Sequence, residues 1–162
     1  MEAELTMMRL HSCSTASVVL TLLTGMALNV PAWAADRTNL KTVTPEEVLR
    51  TLAMHSSSRR PLLFQVGSHM LYVQAHIPGS EYLGPAASPE GVQNLRNRVA
   101  NLARSRPIVL YCGCCPWSHC PNVNPAYDAL LQLGFTNVKV LYMANNFGAD
   151  WVDKGYPVAR GD

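Results

Sequence analysis

Four of the five cysteines of this 162-residue chain fall within nine residues, Cys112 to Cys120. The segment reads Tyr111-Cys112-Gly113-Cys114-Cys115-Pro116-Trp117-Ser118-His119-Cys120-Pro121-Asn122. Thiols at this density support three kinds of chemistry. A thiolate is a nucleophile that can accept sulfur or open a disulfide, and a second thiol nearby can resolve the product. Several thiolates together bind zinc or Cu(I), and His119 is available as an imidazole ligand or base. A bond from Cys112, Cys114 or Cys115 to Cys120 can instead act as a structural staple. Cys114 and Cys115 are adjacent, and a bond between them strains the intervening peptide. The spacing lacks two separated C-x-x-C knuckles, which tempers the metal reading. Position 118 is Ser, not the Arg that a Cys-x5-Arg phosphate loop requires.

The elements around the loop say where these thiols must sit. Pro107 opens Ile108-Val109-Leu110-Tyr111, a continuous apolar run typical of a strand covered on both faces. Cys112 then stands at the carboxyl end of a buried strand. That is where open α/β sheets bind ligands, and where loop amides and the next helix favour negative charge. A thiolate there has a lowered pKa. Asn124-Pro125 caps the following helix, which ends at Gly134.

Upstream, Thr44-Pro45-Glu46-Glu47 is a capping box, predicting a helix to about residue 54. Leu62 to Val66 is a strand candidate, and residues 67–89 show turn signals and little regular pattern. Val92, Leu95, Val99 and Leu102 predict a helix over 89–104, with Arg96, Arg98 and Arg104 on a solvated face. Val138 to Tyr142 is a further strand, and a short helix follows around 148–154. His55 and His69 read as surface residues, and Asp128 and Asp150 as helical. Strands alternating with helices predict an α/β fold with a central parallel sheet flanked by helices.

Composition bounds the rest. Apolar residues make up 48% and charged residues 15%, which suits a packed core and excludes a disordered tail or coiled coil. The formal charge is +2 with no basic run, so nothing predicts nucleic-acid binding. Residues 1–34 read as a secretory signal: Arg9 in the n-region, an apolar stretch from Ser17 to Leu28, and Ala32-Trp33-Ala34 as cleavage site. The stretch is too short to span a bilayer comfortably, so no stable membrane insertion is expected after cleavage. Cys13 precedes the stretch and is removed with it. One domain, 35–162, is expected in the periplasm or outside the cell.

Three segments carry a family likeness. Ala75-His76-Ile77-Pro78-Gly79-Ser80 resembles the G-H-I-P-G-A segment of rhodanese-like sulfurtransferase domains. Ile108 to Cys112 resembles the family's last strand before its active loop, with Cys112 at the nucleophile position. Leu133-Gly134-Phe135-Thr136-Asn137-Val138 and Trp151 to Val158 resemble its closing patterns. The resemblance spans roughly 44–159 and implies a rhodanese-like α/β domain whose cysteine accepts sulfane sulfur as a persulfide. The chain departs from the family at three places. Its Asp-Val-Arg reads Gln65-Val66-Gly67, its glycine pair before the last helix reads Asn145-Asn146-Phe147, and the active loop is longer and lacks the usual basic residue.

The leading reading is therefore an exported rhodanese-like protein moving sulfur through a cysteine persulfide. Cys112 is the acceptor, Cys115 and Cys120 resolve or relay with Cys114, and His119 tunes thiolate charge. Gly113, Cys114, Trp117 and Ser118 line the substrate. The expected partners are a small sulfur donor (thiosulfate or another sulfane-sulfur compound) and a thiol acceptor. This reading uses no cofactor and no metal. Its competitors are a thiol-rich Cu(I) or zinc module and a disulfide-stapled interaction domain on the same fold.

Overall fold

The computed structural model describes residues 39–54 and 59–162. The signal segment and His55 lie outside the described residues. Among the described residues five strands form one sheet: β1 (Thr42–Val43), β2 (Leu62–Gln65), β3 (Glu81–Tyr82), β4 (Ile108–Tyr111) and β5 (Val138–Leu141). Their order is β1-β5-β4-β2-β3 and every pairing is parallel. Four α-helices accompany them: α1 (Pro45–Leu52), α2 (His69–Gln74), α3 (Pro89–Val99) and α4 (Val123–Gln132). A 3-10 turn at Trp117–His119 and a π-helical turn at Gly148–Val152 complete the chain. No helix among the described residues is long and apolar enough to cross a membrane.

β4 is central, with β2 on one side and β5 on the other. Ile108 and Leu110 face a core built with α3 and α4, while Val109 and Tyr111 face a second core with Val48, Ile77 and Trp151. Two buried faces explain the unbroken apolar run, because period-2 alternation has no solvent side to mark. α1 begins as its capping box predicts: Thr44 Oγ1 accepts the Glu47 N–H, and Glu47 accepts the Thr44 N–H at 2.8 Å.

The structure differs from the sequence reading in three respects. α2, β1 and β3 are additional elements, each of six residues or fewer. α3 stops at Val99 rather than near 104, and the chain tightens through Ala100 N–H to Asn97 O and Leu102 N–H to Val99 O. The arginines are not simply solvated. Arg98 grips Glu81 through two bonds of 2.6 and 2.8 Å and lies over the Phe64 ring. Arg104 lies over Phe135.

Candidate functional site

The carboxyl end of β4 is braced from the second core. Tyr111's hydroxyl pairs with Ser80 Oγ at 2.7 Å and accepts the Ile77 N–H at 3.3 Å. Burial pushes this hydroxyl above its ordinary pKa, so it stays protonated. Ser80 and Ile77 belong to the Ala75–Ser80 segment. His76 orders that segment by stacking on Tyr72, with centroids 3.9 Å apart, and by pairing Nδ1 with the Tyr72 carbonyl. His76 and Ala159 exchange backbone hydrogen bonds, tying in the end of the chain. The segment is thus a strut beneath Cys112 rather than part of the chemistry.

β2 supplies the opposite wall. Gln65 is buried; its Nε2 donates to the Cys112 carbonyl at 3.0 Å and its Oε1 accepts the Gly67 N–H at 3.1 Å. One side chain thereby ties the end of β2 to the first peptide of the thiol loop. A Cβ at Gly67 would lie 2.8 Å from Cys112 Sγ, so any larger residue there takes the space of the thiol. The departure to Gln65-Val66-Gly67 therefore has a physical account: it makes room for Cys112 and anchors its carbonyl.

The loop turns at once after Cys112. Gly113 has φ +76°, and a Cβ there would stand 2.6 Å from Phe147 Cβ. Its carbonyl accepts the Phe147 N–H at 3.1 Å. The Asn145-Asn146-Phe147 segment closes on the loop in this way, and Asn146 Oδ1 accepts the Ala149 N–H of the last turn.

Three thiols converge. The sulfurs of Cys112, Cys114 and Cys120 all lie within 4.8 Å of one another, and Cys114 Sγ is 3.0 Å from Cys112 Sγ and 3.1 Å from Cys115 Sγ. Cys112 and Cys120 are buried, Cys115 is half-buried and Cys114 is exposed. None of the four is joined in a disulfide. Asn122, also buried, donates Nδ2 to Cys112 Sγ at 3.2 Å and accepts the Ala87 N–H on Oδ1 at 2.9 Å.

This arrangement sorts the thiols. Cys114 is held far below the ordinary thiol pKa because Cys112 and then Cys120 direct S–H groups at it. Cys112 is held up by donating to Cys114 and Cys120, and by burial. Burial and the bond to Cys114 likewise raise Cys115. For Cys120 a bond from Cys112 pulls down, but its bond to Cys114 and its burial outweigh that and leave it raised. The thiol held lowest is therefore the most exposed of the four.

A cleft of about 290 Å³ opens over Cys112, Gly113 and Cys114, walled by Leu71, Phe147 and Val152 among others. Of the site residues expected from the sequence, Cys112, Gly113 and Cys114 line it. Cys115 stands beside Cys114, and Cys120 is buried at the end of the 3-10 turn, three residues ahead of α4. Trp117, Ser118 and His119 sit on the 3-10 turn and do not line the cleft. Trp117 packs toward Tyr142, with centroids 5.2 Å apart. His119 is exposed, its Nδ1 pairs with Ser118 Oγ at 2.8 Å, and it stands outside the convergent sulfur group. Asn122 and Gln65 carry no functional assignment in the sequence analysis above, yet both touch Cys112. Asn122's place two residues after Cys120, just ahead of a helix, was the available signal.

The family model for the rhodanese-like domain matches residues 44–144. The match covers more than half of the chain, which belongs to the rhodanese-like domain family. The chain is similar to the BH2092 protein of Bacillus halodurans, with 18% identity, TM-score 0.56, and coverage of 74% of this chain and 77% of that one. It is also similar to the Alr3790 protein of Anabaena sp., with 20% identity, TM-score 0.54 and coverage of 73% and 82%. A third solved structure, EanB captured with a cysteine persulfide and ergothioneine, shares 22% identity at TM-score 0.55. It is matched over 74% of this chain but 28% of its own length. At these identities the likeness speaks to the fold. No curated protein sequence matches the chain significantly.

Proposed function

We propose that this chain is a sulfurtransferase that moves sulfane sulfur through a cysteine persulfide. The observation that carries the reading is the contact at 3.0 Å between an exposed sulfur, Cys114, and the buried strand-end sulfur of Cys112, both lining one cleft. Cys114 meets the donor first. Its thiolate attacks the outer sulfur of a persulfide or polysulfide, the donor's S–S bond breaks, and the electron pair leaves with the donor thiolate. Cys112 then attacks the outer sulfur on Cys114. The persulfide moves to Cys112, the electron pair returns to Cys114 Sγ, and the Cys112 proton is released to it. Asn122 Nδ2, 3.2 Å from Cys112 Sγ, steadies the charge of the stored persulfide. A thiol acceptor takes the sulfur by the same displacement. Cys115 and Cys120 are within reach as resolving thiols.

No Arg or Lys lies between Cys112 and Asn122. The charge in the site is met by N–H and S–H donors, which suits a polysulfide or persulfide donor better than dianionic thiosulfate. The signal reading of residues 1–34 extends the proposal to an exported protein working in the periplasm or outside the cell.

The test is intact mass after a polysulfide pulse on the reduced protein. One added sulfur is expected, arriving slowly in Cys114→Ala and failing to persist in Cys112→Ala. A protein that gains no sulfur, or gains it equally in both variants, contradicts the assignment.

A further inference from the structure

We infer that Cys112, Cys114 and Cys120 also form a three-coordinate site for a soft monovalent cation, Cu(I). This goes beyond sulfur transfer: the same sulfurs hold either a persulfide or a metal, not both. The geometry is the first support. A metal–sulfur bond of about 2.3 Å sets the sulfurs of a trigonal site about 4 Å apart. The three sulfurs here lie within 4.8 Å of one another on one short loop, and the 3.0 Å between Cys112 and Cys114 has to open by about 1 Å to reach that spacing, a movement the exposed Cys114 can supply.

The donor set is the second support. All three ligands are sulfur, and no carboxylate or imidazole joins the group. Thiolate sets of this kind select Cu(I) over harder cations. Structural zinc requires four ligands. Cys115 is near Cys114 at 3.1 Å but outside the convergent group, and His119 is engaged with Ser118.

The surroundings are the third support. Three thiolates and one Cu(I) leave a double negative charge, which needs hydrogen-bond donors in a loop without cations. Asn122 Nδ2 reaches Cys112 Sγ, and the backbone N–H groups of Asn122 and Val123 point at Cys120. Outer donors of this kind orient ligands and hold metal affinity. Cys114, exposed, gives the ion its entry, while the two buried sulfurs keep solvent from displacing it.

The experiment uses the full chain carrying Cys13→Ser, so that the loop supplies every thiol. Reduced protein is titrated anaerobically with Cu(I) against the chromophoric chelator bicinchoninate, and in parallel with Zn(II). The expected result is one Cu(I) per chain retained on desalting. Cys112→Ser, Cys114→Ser and Cys120→Ser should each weaken binding by about a hundredfold or more, with Cys115→Ser changing it less than about threefold. Far-UV circular dichroism checks that each variant is folded. Cys114→Ser, an exposed position, carries the test if a buried substitution unfolds the chain. Failure to retain Cu(I) overturns the inference. So does retention of zinc in preference, with Cys115→Ser as damaging as the other three. Neither outcome depends on whether the protein takes up sulfur.

Discussion

Two regions meet at the end of β4 and are built on opposite lines. The strut from Ala75 to Ser80 is conventional: Tyr111, Ser80, Ile77, His76 and Tyr72 pair donors with acceptors. The thiol loop is a cluster of like groups in contact at 3.0 and 3.1 Å, whose hydrogen bonds lower one thiol, Cys114, and raise its neighbours. The strut fixes where Cys112 stands. The loop decides which sulfur is ionised. Position and reactivity are thus set by different segments, and substitutions should separate them.

The largest effect is expected at the turn that joins the two. Gly113→Ala forces a left-handed conformation on a residue with a Cβ and drives that atom into Phe147, at a cost of about 3 kcal/mol from strain and overpacking. Urea unfolding should show it, together with loss of sulfur uptake. Next comes Asn122→Ala, which strips a donor from Cys112 and an acceptor from the Ala87 N–H. About 1–3 kcal/mol of stability should be lost, and sulfur should dwell for a shorter time on the protein. Unchanged dwell time would detach Asn122 from the persulfide.

The pH dependence sharpens the same contrast. Cys114's folded pKa is lowered, so its contribution to stability is present above the unfolded thiol value of about 8.5 and is lost as pH falls. Cys112, Cys115 and Cys120 are raised, so above about pH 8.5 they keep protons that the unfolded chain releases, and stability falls. Under reducing conditions, urea midpoints should therefore pass through a maximum near the ordinary thiol pKa. A midpoint that climbs steadily from pH 8.5 to 9.5 would contradict the charge distribution. The smallest effect belongs to His119→Ala. The ring is exposed and paired with Ser118, so less than about 0.5 kcal/mol and less than about twofold in sulfur uptake are expected.

Much of this fold is legible in the sequence. The capping box at Thr44 and the apolar run from Ile108 to Tyr111 each carry a local signal strong enough to place an element, while the Asn124-Pro125 pair signals α4 but misplaces its start, since the cap is Asn122 and both residues lie in the first turn. The strand-end position of Cys112 follows from the second of these. α2 was not legible because Ser68 makes no side-chain cap and Tyr72 is the one residue of the helix that is buried, so neither an end signal nor an apolar face marks it. β1 and β3, two residues each, are too short to show a period. Within the site, spacing alone cannot say which thiol is exposed. The ionised sulfur depends on how Cys114, Cys115 and Cys120 fold back toward Cys112, and that is a property of the loop path. His119, attractive by type and position, turns toward Ser118 instead.

The measurement closest to the central claim is the location of the transferred sulfur. Reduced protein is pulsed briefly with polysulfide, quenched with an alkylating agent, digested and mapped by tandem mass spectrometry over a time course. The account predicts an alkylated persulfide that appears first on Cys114 and accumulates on Cys112. A persulfide that forms first on Cys115 or Cys120, or on none of the four, would contradict it.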